Sequence, residues 1–154
     1  MHIETVTAET FEQVLPLIAN YQRFYEATPD EPRNRAHFAR LLEDHDQGIQ
    51  FVALDDEGRT LGFATLYFPL GSVSARVNCL MNDLYTIPQV RGQGVGRALI
   101  LHCLAYARGH GFDSIYWQTA QSNVRAQRLY DSLPTTRSAW YTYTLQVAAV
   151  TSDE

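Results

Sequence analysis

A chain of 154 residues, 45% hydrophobic and 12% aromatic, is long enough to bury a core without staples, and a charged fraction of 19% excludes disorder by composition. Seventeen acidic against twelve basic residues, a net charge of −5, exclude a protein that tracks nucleic-acid phosphates and mildly favour cationic partners. No apolar run approaches the ~18–20 residues that a membrane span requires and the N-terminus lacks a signal-peptide core, so the expectation is one cytoplasmic domain over 1–154, ordered from about 2 to 147.

In chain order, His2 to Val6 alternates polar and apolar residues as a strand does, and Thr7 can cap the next segment. From Ala8 onward, Phe11, Val14, Leu15, Ile18, Tyr21 and Tyr25 mark one apolar helix face, with Pro16 inside it expected to kink the helix or delay its start. The Ala27–Pro32 stretch reads as a loop whose two prolines bar a continuous helix, followed by a second helix near Arg35 to Leu42. Ile49–Leu54 and Thr60–Phe68 read as a hairpin joined at Asp55–Gly58, and Ala75–Thr86 as a third long strand. Val95, Leu99, Ile100, Cys103, Leu104 and Ala107 define the clearest helix, ending at Gly109 and Gly111. Ile115–Thr119 reads as a short strand, Asn123 as the cap of a helix to about Leu133, and Trp140–Val147 as a final strand. The order is βααβββαβαβ. Trp117 and Trp140 are assigned to the core, and His102 to a partly packed surface. Cys79 and Cys103 are isolated, without metal-ligand spacing, and read as buried thiols in a reducing compartment.

The segment Arg91-Gly92-Gln93-Gly94-Val95-Gly96 lies between a strand and the strongest helix. Three glycines there let unpaired backbone N–H groups and the positive end of a helix dipole approach a phosphate or pyrophosphate, with Arg91 adding a charged donor. A dinucleotide fingerprint fails, because the sixth position of GxGxxG is Arg97 or Leu99; a nucleoside triphosphate loop fails for want of Lys-Ser or Lys-Thr. A turn whose glycines serve packing alone is the remaining alternative.

Arg-x-x-Gly-x-Gly at a helix start resembles the coenzyme A-binding motif of the GNAT superfamily of N-acetyltransferases. Asn82-Asp83-Leu84-Tyr85-Thr86 looks like that family's central strand, and Asn123-x-x-Ala126-x-x-Leu129-Tyr130 like its downstream helix. Tyr21–Glu26, Ile115–Trp117 and Ser122–Tyr130 further resemble the fungal group of histone-and-other-protein and D-amino-acid N-acetyltransferases, and less closely the diamine and thialysine acetyltransferases. The resemblance implies an α/β GNAT fold, a mixed and mainly antiparallel sheet with splayed central strands flanked by helices. It also implies acetyl-coenzyme A as donor, with no metal. Backbone groups of Leu84, Tyr85 and Thr86 would hold the pantetheine arm. Arg91, Gly92, Gln93, Gly94, Val95, Gly96 and Arg97 would hold the pyrophosphate, and Asn123 and Ala126 would line the coenzyme channel. Tyr130 would be the general acid, and Tyr21, Tyr25 and Glu26 would line the acceptor pocket. Family habit adds a homodimer, with Trp140–Tyr143 at a sheet edge.

Direct acetyl transfer requires a neutral amine, a polarised thioester carbonyl and a protonated leaving thiolate. A phenol suits the last task and backbone amides near Thr86 the second. For the first, diamine acetyltransferases carry a glutamate where this chain has Asn82, which cannot take a proton. Asp83 is adjacent, but neighbouring strand residues face opposite sides, so it serves only if the strand bulges; a water held by Asn82 is the other option. The expected acceptor is a small primary amine such as a polyamine or amino acid. The rivals are a protein lysine or N-terminal amine, and a non-catalytic coenzyme A-binding module.

Overall fold

A computed structural model describes residues 1–149. They fall into two units, one of Met1–Ser122 and one beginning at Asn123.

In the first unit, β1 (His2–Thr5) leads into α1 (Ala8–Phe24). Thr7 caps α1 with a reciprocal box: its side chain accepts from the Thr10 N–H, and Thr10 Oγ1 accepts from the Thr7 N–H at 2.9 Å. The helix runs unbroken through Pro16, which lies on its exposed side. The delayed start offered as one alternative does not occur, because the helix already begins at Ala8. α2 (Glu31–Glu43) also starts earlier than expected: Asp30 caps it, and Pro32 sits in the first turn, where a missing N–H costs nothing. Gln22 and Asn34 exchange side-chain amide hydrogen bonds of 2.7 and 2.8 Å, fixing α2 against α1.

The sheet comes next along the chain. β2 (Gly48–Leu54) and β3 (Thr60–Tyr67) form the expected hairpin, and two short strands, β4 (Leu70–Gly71) and β5 (Arg76–Val77), pair only with each other. β6 (Leu80–Thr86) completes a sheet of order β1-β2-β3-β6, antiparallel throughout. The long strand expected over 75–86 is thus interrupted at 78–79, and Cys79 lies just outside β6. α3 (Val95–Gly109) closes the other face, where the Phe51 ring meets His102 at 4.6 Å and Tyr106 at 5.4 Å. Against the α1/α2 face pack Val52, Leu54, Phe63 and Tyr85. Cys79 and Cys103 are buried and unpaired, as expected.

The strand expected over Ile115–Thr119 is reduced to one parallel bridge, Leu80 with Tyr116. Two hydrogen bonds hold it, Met81 N–H to Tyr116 O at 2.9 Å and Tyr116 N–H to Cys79 O at 3.1 Å. Among the described residues no strand lies beside the outer edge of β6 beyond that point. The chain therefore has the splayed, mainly antiparallel GNAT arrangement that the resemblance implies.

In the second unit, α4 (Val124–Asp131) is capped by Asn123, whose Oδ1 accepts from the Ala126 N–H at 3.2 Å. The final strand expected over 140–147 does not form; a 3₁₀ turn covers Val147–Ala149. Trp140, assigned to the core from sequence, is 81% exposed, as is most of Tyr141, Tyr143 and Leu145. Alternation of this kind becomes a strand only when a neighbouring strand accepts its backbone groups. Trp117, in the first unit, is half-buried.

Candidate active site

The ladder between β3 and β6 sets the face on which Asp83 lies. Thr65 pairs with Asp83 and Leu66 with Met81, so Asn82 is an inserted residue, a β-bulge. The bulge turns Asp83 onto the α1/α2 face while Met81 stays on the opposite one, which meets the condition set from sequence. Asp83 is 5% exposed and Asn82 is exposed. The Asn82 Nδ2 donates to Asp83 Oδ1 at 3.0 Å, and Asp83 Oδ2 is buried with no hydrogen-bond partner among the described residues. Burial pushes the Asp83 carboxyl above the usual carboxylate range; the neighbouring Thr65, Asn82 and Tyr21 side chains, then the positive potential of His37, pull it back down.

Tyr21 reaches this point from α1. Its hydroxyl donates to the Asn82 carbonyl at 3.2 Å, and its ring makes edge contacts with Tyr25 at 5.0 Å and with Phe63 at 6.0 Å. Of the three expected acceptor-lining residues, the structure thus brings Tyr21 to Asn82 and Asp83. Tyr25 stands beside Tyr21 and is half exposed. Glu26 is exposed one residue past the α1 cap, with φ of 60°, a left-handed conformation usual for glycine at that place.

The polar surroundings of Asp83 include residues that sequence reasoning missed. Gln50, Thr65 and Tyr67 lie on the same sheet face, and His37 and Arg40 descend from α2. His37 Nε2 and the Tyr67 hydroxyl are 3.1 Å apart, and His37 Nδ1 lies 2.7 Å from the Arg40 guanidinium. Burial, then the Asp83 charge, pushes the Tyr67 phenol up to about 12, against the opposing pull of Arg40. A cavity of about 230 Å³ opens beside His37, Arg40 and Tyr67. The available signal was a glutamine and a threonine at alternate positions in otherwise apolar strands.

Past Thr86 the chain makes a 3₁₀ turn, Pro88–Val90, and enters the glycine segment. Gly92 and Gly94 take φ of 78° and 86°, and a Cβ on either would meet nothing within 4 Å, so the space above the turn is open. The first intrahelical bond of α3 is Ala98 N–H to Gly94 O at 2.9 Å, so the N–H groups of Val95, Gly96 and Arg97 precede the helical ladder and form its positive end. Arg91 is partly committed: its Nε donates to Thr86 O at 3.2 Å, and its cation lies 5.7 Å over the Tyr85 ring. Open backbone N–H groups at the end of β6, which among the described residues has no strand along its outer edge past the Leu80–Tyr116 bridge, fit an extended chain that ends in a diphosphate. In the second unit, Asn123 and Ala126 form the α4 cap, and Tyr130 sits half-buried near its end. Among the described residues no three His, Cys, Asp or Glu side chains are grouped so as to hold a metal ion.

The acetyltransferase (GNAT) family model matches residues 12–133. The chain belongs to the GNAT family. It is an N-acetyltransferase. It is 29% identical over 131 residues to the uncharacterized N-acetyltransferase YhfO of Bacillus subtilis (strain 168), covering 85% of this chain and 87% of that protein. It is 34% identical over 111 residues to the D-amino-acid N-acetyltransferase HPA3 of Saccharomyces cerevisiae, covering 71% and 69%. Among solved structures, a probable acetyltransferase superposes with a TM-score of 0.83 at 28% identity over 96% of this chain and 98% of that one.

Proposed function

We propose that this GNAT protein transfers the acetyl group of acetyl-coenzyme A directly to the primary amine of a small molecule such as a polyamine, an amino acid or a related amine. The carrying observation is the bulge at Asn82, which sets the Asp83 carboxylate on the face reached by Tyr21, on the strand that leads into the glycine turn. The likeness to a D-amino-acid N-acetyltransferase supports membership of that subgroup.

The coenzyme, when bound, supplies an activated acetyl thioester. Backbone groups of Leu84, Tyr85 and Thr86 would bind its pantetheine arm on the open edge of β6. Gly92, Gln93, Gly94, Val95, Gly96 and Arg97 would bind its diphosphate, with Arg91 pinning the turn and Asn123 and Ala126 lining the channel. Asp83 takes the proton from the acceptor ammonium, a role that its burial suits because a raised carboxyl competes better for that proton. Asn82 orients it. Tyr130 donates its phenolic proton to the departing sulfur. Cys79 and Cys103 take no part: burial pushes their thiols up to about 11 and about 12, so both stay protonated at neutral pH. Two buried, unpaired thiols also fit a reducing cytoplasm. The reading treats both units as one catalytic domain, because the family model runs across them.

A small amine fits because the carboxylate is only 5% exposed and is bordered by aromatic rings, which admit a slim alkylammonium. The open position of Tyr25 and Glu26 favours a second acceptor, a lysine side chain presented by a protein. The exposed aromatic run over 140–147 would be covered in a homodimer. Turnover of acetyl-coenzyme A against a panel of polyamines, amino acids and lysine peptides tests the reading, with Tyr130→Phe as control. Binding of coenzyme A without transfer to any amine would instead make the chain a coenzyme A-binding module.

A further inference from the structure

Three buried polar side chains stand in one row across three strands. Gln50 pairs with Thr65 in the β2–β3 ladder, and Thr65 with Asp83 in the β3–β6 ladder. They are 2%, 0% and 5% exposed, and their neighbours on the same face, Val52 and Phe63, are apolar. An apolar row would pack here without the desolvation penalty that buried polar groups carry. The row is directional. Gln50 Nε2 donates to Thr65 Oγ1 at 2.9 Å, which occupies that oxygen as an acceptor and leaves its hydrogen to be donated elsewhere. The acceptor directly across from Thr65, on the other side from Gln50, is the Asp83 carboxylate.

We propose that Thr65 and Gln50 are positioning residues for acetyl transfer: Gln50 fixes the Thr65 hydroxyl, and Thr65 donates to Asp83, holding the carboxylate ionised and in one rotamer. This rests on the reading of Asp83 as the proton acceptor. It deepens that reading, because Asn82 reaches only Oδ1 and comes from the exposed side. The other groups that bear on Asp83 are Tyr21 from α1, His37 from α2 with Arg40 behind it, and Tyr67 on β3. Tyr85 lies two residues further along β6. Of these, Arg40 carries a fixed positive charge, and it does not change when Thr65 is replaced.

Full-length protein carrying carboxyl-¹³C aspartate, titrated by NMR, reads the Asp83 carboxyl without any acceptor, and Asp83→Asn assigns the resonance. Thr65→Val keeps the shape and removes the donor, so the Asp83 midpoint should move upward; Thr65→Ser should restore it, and Gln50→Met should move it in the same direction by less. With a working amine, the acid limb of kcat/KM should move with it, and the rate below that limb should fall roughly tenfold in Thr65→Val, as loss of one hydrogen bond to a charged group gives. An unmoved midpoint in Thr65→Val, or a serine variant as displaced as the valine one, overturns the proposal. Should Thr65→Val not fold, Gln50→Met decides alone, an unmoved midpoint being the overturning result. If Asp83→Asn keeps both rate and acid limb, the proton-acceptor reading fails; if it loses them while Thr65→Val leaves the midpoint in place, only the positioning role fails.

Discussion

Thr65 stands directly across from Asp83 in the β3–β6 ladder, and the next pair, Leu66 with Met81, skips Asn82. Side chains alternate faces at every residue of a regular strand, so with Asn82 paired in register Asp83 would share the face of Met81 and look toward α3. The bulge at Asn82 therefore decides whether the carboxylate meets Tyr21 or the far side of the sheet.

Asp83 should destabilise the fold at neutral pH, a cost that its proposed role as proton acceptor would offset. Its carboxyl is held above its usual value in the folded chain, so the folded state binds the proton more tightly than the unfolded one. That stabilisation is complete below about 3.9, the unfolded carboxyl value, and is lost as pH rises through the folded one. Asp83→Asn, neutral at every pH, should melt at nearly the wild-type temperature in acid and at a higher one at neutral pH, while acetyl transfer collapses. Melting curves between pH 3 and 8 check this; a gap that does not widen with pH would contradict it.

Periodicity made α1, α3 and the β2–β3 hairpin legible, because each has a buried face whose spacing is set by its own backbone. The glycine turn and the Asn123 cap were legible for a similar reason, since their chemistry is local. What escaped depended on partners distant in sequence. The face of Asp83 rests on a bulge that no residue type demands, and the Gln50–Thr65 bond on a register between separate strands. The aromatic alternation over 140–147 reads as a strand but has no pairing among the described residues, and the expected frayed tail at 150–154 lies outside them. Roles for Tyr130, Asn123 and Ala126 came from resemblance, which names a position without its surroundings.

Gly94 takes φ of 86° and ψ of 2° at the start of α3. An L-residue pays ~1–2 kcal/mol in that region. In Gly94→Ala the free turn should relax away from it, and coenzyme A must restore it on binding, so Kd should rise roughly five- to thirtyfold, since 1.4 kcal/mol is a factor of ten. Gly109→Ala, at the far end of the same helix with nothing within 4 Å, should leave binding unchanged. Calorimetric titration with coenzyme A compares the two.

Pro16 lies in the middle of α1, on the exposed side, and its ring nitrogen cannot donate to the carbonyl of Glu12. The helix persists because its opposite face buries Val14, Leu15, Leu17 and Ile18. Pro16→Ala should restore the bond and stabilise the protein by up to about 3 kcal/mol. A urea midpoint that does not rise would mean that the backbone around Pro16 already compensates.

Tyr130→Phe keeps the ring on α4 and removes only the hydroxyl. If that hydroxyl protonates the departing sulfur, kcat should fall about a hundredfold or more, the usual contribution of a positioned acid. Coenzyme A affinity should hold, because the proposed diphosphate cradle is made of backbone groups at Gly92–Arg97. The pH profile distinguishes a chemical from a packing role. An acid must be protonated to act, so wild-type kcat should decline at high pH, and that basic limb should vanish in Tyr130→Phe while the acid limb assigned to Asp83 stays. A variant that loses rate but keeps both limbs would place the acid elsewhere and leave Tyr130 as a packing residue of α4.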